Sequence, residues 1–166
     1  MTIYVLRHAI AEARRQGRPD ATRALTASGI QKLRIVLGKA YQAGVSPDVI
    51  LTSPYARAEE TAEIAAEILS CRRKLVVTKA LLPSSSPDRV WKEIAAIEAS
   101  SVLVAGHEPL LSQFVAFLLN CPAVKVDLKK GALVRLDVPL SEPQPNGILN
   151  PNGILKWMLT PKLAGA

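Results

Sequence analysis

Aromatic side chains are scarce: Phe, Trp and Tyr together make up 4% of the 166 residues. Without them there is no stacking platform for single-stranded nucleic acid, and a core must be built from Leu, Ile, Val and Ala. Cysteine is scarcer still, with only Cys71 and Cys121. Two cysteines make no disulfide framework. With no Cys-x-x-Cys pair and no carboxylate or Cys–His cluster at ligand spacing, no metal and no cofactor is implied. No apolar run approaches the roughly 20 residues that span a bilayer, and no charged leader with a cleavage site precedes the first strand. These absences lead to the expectation of a soluble, reduced, cytoplasmic protein with no membrane partner.

What is present is a chain 49% hydrophobic with a formal net charge of +7. Its length is that of one ordinary domain, and no linker or shift in composition divides it, so residues 1–166 are expected to form a single domain. The basic balance favours anionic partners. Arg14, Arg15, Arg18 and Arg23 concentrate charge in one stretch. They read equally as a solvated loop or an anion-facing segment. Nucleic acid is the less favoured partner, because no aromatic residue interleaves with them; salt-dependent retention on DNA without base preference would be its mark.

Patterning along the chain alternates strand and helix. Thr2–Leu6 is a short apolar, β-branched run, read as a buried strand that stops at Arg7-His8. A helix follows, with Thr26 as N-cap, Ile30, Leu33, Val36, Leu37 and Ala40 on one face, and Gly44 as its stop. Val49–Thr52 is a second strand, broken by Ser53-Pro54 and followed by a helix from about Ala56 to Leu69. Leu75–Val77 reads as a third strand, and a helix carrying Val90, Trp91, Ile94 and Ile97 is capped by the end of the Ser84–Pro87 loop. Ser101–Ala105 is the most clearly buried strand, ending at Gly106-His107, with Pro109 in the first turn of a helix through Leu119. Ala132–Val138 and Leu155–Leu159 alternate as half-exposed strands. The expected fold is α/β: a three-layer α/β/α sandwich around a mostly parallel mixed sheet with an antiparallel C-terminal edge. A tandem repeat, Pro-Asn-Gly-Ile-Leu-Asn at 145–150 and Pro-Asn-Gly-Ile-Leu-Lys at 151–156, predicts one copy as the turn joining the last two strands and the other as a looped-out insertion.

Chemistry-bearing residues fall at strand ends. Arg7 and His8 follow the first strand, Arg57 opens the helix after the second, and His107 follows the fourth; His8 and His107 are the only histidines. In open α/β sheets ligands bind beyond the carboxyl ends of the strands, so these side chains are expected to share a pocket. Two guanidiniums grip phosphoryl oxygens bidentately, and the helix after Pro109 would add N–H donors. A neutral imidazole there can attack phosphorus in line. The neighbouring cations are expected to hold His8 unprotonated.

Four motifs in order carry a family resemblance: Arg7-His8-Ala9, Leu25-Thr26-x-x-Gly29, Ser53-Pro54-x-x-Arg57-Ala58-x-x-Thr61 and Gly106-His107-Glu108-Pro109. Together they resemble the signatures of the histidine phosphatase (phosphoglycerate mutase-like) superfamily, and most closely its SixA-type phosphohistidine phosphatase branch. The resemblance implies that His8 is the phosphorylated nucleophile and that Arg7, Arg57 and His107 complete the phosphate pocket. Ala9 stands where the family has Gly, a mild change whose methyl could narrow the pocket. The insertion that carries a Glu general acid in larger members is missing.

An alkoxide leaving group needs a proton donor, whereas a protonated imidazole leaves unaided. The pattern therefore suits a phosphorylated protein, with phosphohistidine as the group removed. Glu12, Glu108 and Asp88 are the candidate general acids that would instead favour small phosphorylated substrates. Glu108 reads as readily as a charge complementing a helix N-terminus. The alternatives are a general small-molecule phosphomonoesterase and a non-catalytic phosphate-binding regulatory module. The intact pair of histidines argues against the module.

Overall fold

The computed structural model describes residues 1–71, 73, 75–139 and 151–166. Its strands are β1 (Thr2–Arg7), β2 (Val49–Thr52), β3 (Val76–Val77), β4 (Ser101–Gly106), β5 (Leu133–Asp137) and β6 (Ile154–Leu159). They form one sheet in the order β3-β2-β4-β1-β5-β6. The β1, β2, β3 and β4 pairings are parallel, and β5 pairs antiparallel with both β1 and β6. β5 alone runs against the rest, and the edge strand β6 is antiparallel to it.

The helices are α1 (Ala27–Gln42), α2 (Ala56–Ile68), α3 (Pro87–Ala95), α4 (Leu110–Leu118) and α5 (Pro161–Ala164). Side chains alternate along a strand, so the sheet has two apolar faces to cover. Tyr4 and Leu6 pack with Leu33, Leu37, Ala62 and Ala164 from α1, α2 and α5. Ile3 and Val5 pack with Val90, Ile94, Leu110 and Phe114 from α3 and α4. That is the three-layer sandwich the alternating pattern predicts. Among the described residues no helix is long and apolar enough to cross a membrane.

Local signals hold where backbone chemistry is decisive. Thr26 Oγ1 accepts from the Gly29 amide at 3.0 Å, and Gly44 takes φ +81° just past the end of α1. The capping expected at α3 is corrected in part: Ser86 holds the N-cap position but makes no side-chain cap. Pro109 likewise sits at the N-cap of α4, one residue before its first turn. The first copy of the tandem repeat, and with it the turn or insertion assigned to it, lies outside the described residues. The second copy leads into β6, where the Gly153 amide donates to Leu118 O at 2.7 Å.

Candidate active site

Strands β2, β4 and β1 lie side by side and end at one level, because Arg7 is in register with Gly106 and Thr52 with Ala105. The residues that follow, Ser53, His107 and His8, are thereby brought together from distant parts of the chain. The His8 backbone is clamped on both sides: its amide donates to Gly106 O at 3.0 Å, and its carbonyl accepts from the Gly131 amide at 3.2 Å.

The His8 ring is buried, 6% exposed. Its Nδ1 lies 2.8 Å from Ala9 O, and its Nε2 accepts from Arg57 Nε at 3.3 Å. A guanidinium only donates and a carbonyl only accepts, so Nδ1 carries the proton and Nε2 the lone pair. Arg57, in the first turn of α2, is held from the other side as well. Its Nη1 donates to Asp20 O at 2.8 Å, and its Nη2 to Asp20 Oδ2 at 3.0 Å. The Tyr55 ring lies under it, 4.9 Å from Cζ to centroid. Among the described residues three of the five Arg57 N–H donors are engaged, and two remain.

His107 is 2% exposed, its ring centroid 5.1 Å from that of His8 and 5.1 Å from that of Tyr55. Its Nε2 is hydrogen-bonded with Ser53 Oγ at 2.8 Å. Arg7 donates from Nη1 to Leu128 O at 2.7 Å. Among the described residues His107 Nδ1 and Arg7 Nε are buried without a hydrogen-bond partner. Such orphans are rare in folded chains; Ser85 Oγ and Trp91 Nε1 are two more among the described residues.

The fold and these motifs agree with the known proteins the chain resembles. A family profile, the histidine phosphatase superfamily (branch 1), matches residues 3–81. An uncharacterized protein of Picosynechococcus sp. (strain PCC 7002) is 34% identical over 140 residues, 82% of this chain and 84% of that protein. Phosphohistidine phosphatase SixA of Escherichia coli (strain K12) is 27% identical over 164 residues, 97% of this chain and 94% of that one. The solved structure of the protein histidine phosphatase SixA complexed with tungstate superposes with a TM-score of 0.82 at 26% identity, covering 98% of each chain. The chain belongs to the histidine phosphatase superfamily. Within it the chain falls in the SixA-type branch, and membership makes it a phosphatase.

In this histidine phosphatase the His8 pKa is lowered to about 4 and that of His107 to about 3. The expected cations contribute at His8 but are not the main cause. Burial is the largest influence on both rings, with the charges of Arg57, Arg7 and Lys130 adding to it at His8. Both rings are therefore neutral at pH 7. An unfolded histidine titrates near 6.5, so the folded chain binds fewer protons below that value. Stability is then fully present above pH 6.5 and is lost as the pH falls through about 4. His8 alone accounts for on the order of 3 kcal/mol. Urea unfolding between pH 6.5 and 4 should show a steeper decline for the wild type than for a His8→Gln/His107→Gln variant. Equal slopes would mean that other groups set the acid sensitivity.

None of the three candidate acids is hydrogen-bonded through its carboxylate to His8, Arg57 or His107 among the described residues. Glu108 Oε1 accepts from the Ser112 amide at 3.1 Å, so its carboxylate caps α4. The Leu111 amide donates to His107 O. Two of the first amides of α4 are thus already satisfied, which corrects the expectation that they are open donors. No hydrogen bond or ion pair among the described residues ties the Glu12 carboxylate to His8, Arg57 or His107; Asp88 lies in the first turn of α3. The Ala9 methyl joins the core on the α1 side, and the Ala9 amide donates to Thr61 Oγ1 at 3.2 Å, so the narrowing does not follow.

Asp20 and Tyr55 are contacts that sequence reasoning missed. The signal for Asp20 was faint: it is the sole acid in the Arg-rich stretch from Ala13 to Leu25. Burial pushes the Asp20 carboxyl up, but Arg57 and Arg23 outweigh it and hold the pKa below the usual range. Asp20 is therefore an ionised clamp on Arg57 and a poor proton donor.

Proposed function

We propose that this phosphatase hydrolyses phosphohistidine on a protein, in the cytoplasm, through a covalent intermediate at His8 Nε2. The observation that carries the proposal is the state of His8: a buried, neutral ring with its proton fixed on Nδ1 and its lone pair on Nε2 facing a guanidinium. In this reading Arg7, Arg57 and His107 hold the phosphoryl oxygens. The Nε2 lone pair attacks phosphorus in line as the bond to the substrate imidazole breaks. Solvent protonates the distal ring nitrogen of the substrate, so the leaving group departs as neutral imidazole. Water then attacks phospho-His8, releasing inorganic phosphate and restoring the Nε2 lone pair.

The choice of substrate follows from proton inventory. General acids contribute about 10²–10⁴-fold where an alkoxide must leave. Here Asp20 is held ionised by two arginines and Glu108 caps a helix. Similarity to SixA supports the same substrate class, and tungstate, bound in a similar SixA structure, is an oxyanion with the charge of phosphate chemistry.

The test compares phosphate release from a phosphohistidine protein and from a phosphoserine peptide. The expected kcat/KM ratio is about 100 or more in favour of phosphohistidine. Comparable rates would indicate a proton donor in the site and shift the reading to a general phosphomonoesterase.

A further inference from the structure

We propose that a basic groove beside His8 is a docking subsite for an acidic segment of the phosphorylated protein substrate. This rests on the phosphohistidine-protein reading above. The groove has a volume of about 840 Å³. Its walls bring together Arg7 from the end of β1, Lys32 from α1, Lys129 and Lys130 from the segment before β5, and Lys162 from α5. Five cations thus converge from four parts of the chain.

One acidic side chain, Asp127, also lines the groove, and it is paired with Lys129. Among the described residues Lys32, Lys130 and Lys162 take part in no ion pair. Uncompensated like charges around one concavity repel one another, and an anionic occupant relieves that repulsion. The groove shares Arg7 with the candidate active site. Arg7 lines it and adjoins His8 in sequence, and Lys130 is close enough for its charge to help lower the His8 pKa. A chain lying in the groove therefore presents a neighbouring residue to His8.

Ile10, Met158 and Pro161 also line the groove, so it offers apolar contact as well as cations. A polypeptide carrying acidic and apolar side chains complements both features. Single-stranded nucleic acid would need stacking surfaces, and no aromatic residue lines the groove. Charged groups at such a rim act mainly on encounter rate and partner choice, and their effect fades as salt shortens the Debye length.

The experiment uses two phosphohistidine peptides, one flanked by Glu and Asp and one by Gln and Asn, together with free phosphohistidine. The variant is Lys32→Glu/Lys162→Glu, at two surface positions on α1 and α5 away from His8, Arg57 and His107. At low ionic strength the wild type should favour the acidic peptide about tenfold in kcat/KM, a preference lost in the variant and in about 0.5 M salt. Free phosphohistidine should be hydrolysed equally by both proteins. Equal use of the two peptides by the wild type, or an undiminished preference in the variant, would overturn the docking subsite. Inactivity of the wild type on every phosphohistidine substrate would instead overturn the proposed function. Anisotropy of the unphosphorylated acidic peptide reads the groove without catalysis: binding weakened about tenfold in the variant supports it. Absent binding, or tighter variant-sensitive retention of single-stranded DNA than of the peptide, overturns the choice of partner.

Discussion

Replacing His8 by alanine should lower phosphate release from a phosphohistidine protein by about four orders of magnitude or more. Losing a nucleophile removes the covalent route outright, and what binding alone retains is small by comparison. The fold should survive, because His8 is held mainly through its backbone, to Gly106 O and from the Gly131 amide. The ring's departure does leave Arg57 Nε without its acceptor, but Asp20 still holds the guanidinium through two contacts. Circular dichroism should therefore be unchanged while activity is lost. A rapid quench of the wild type should trap a label that is stable in alkali and labile in acid, as a phosphoramidate is, and the variant should carry none. A label persisting in the variant would move the nucleophile to His107, whose Nδ1 is buried without a partner among the described residues.

Gly29→Ala should destabilise the protein by about 3 kcal/mol or more, a fall in Tm on the order of 10 °C. The first turn of α1 presses against the chain just beyond His8. The Thr26 amide donates to Ile10 O at 2.9 Å, and a Cβ at position 29 would stand 2.2 Å from that same oxygen. The obstacle is backbone, so it cannot swing aside as a long side chain would. Any retreat of Ile10 would drag on Ala9, whose carbonyl fixes the His8 tautomer. Gly38 lies in the same helix, and a Cβ there would meet nothing within 4 Å. Gly38→Ala should therefore stabilise by up to about 1 kcal/mol through helix propensity. Thermal and urea unfolding of the two variants should give shifts of opposite sign. Two small shifts of the same sign would show that Ile10 yields freely.

This pair of glycines shows what could be read before any fold was known. Gly29 belongs to the Leu25-Thr26-x-x-Gly29 motif, so its importance was legible, but the carbonyl it accommodates was not. The strand ends bearing Arg7, His8 and His107 were legible too, because a short apolar run that stops at a charged or polar residue marks its own carboxyl end. The Thr26 cap and the Gly44 stop were legible for the same local reason. The Asp20 clamp was not: Asp20 lies in a short 3₁₀ turn within an Arg-rich segment, and only packing against α2 brings it to Arg57.

The protonation state of the histidines divides along the same line. Positive neighbours at Arg7 and Arg57 could be anticipated from the motifs, yet burial proves the larger influence, and burial belongs to the assembled layers. The lysines of the groove are more remote still, spread from Lys32 to Lys162 with no shared motif.

By itself the amino-acid sequence determined the order of strands and helices, the two-faced apolar pattern that makes a covered sheet, and the family motifs at strand ends. These rest on periodicity and backbone propensity, which act over a few residues. Tertiary structure decided the sheet order that sets His8 beside His107, the hold of Asp20 on Arg57, and the gathering of distant cations into one groove. Those depend on which surfaces meet, and contacts between distant segments leave no periodic trace in either segment alone.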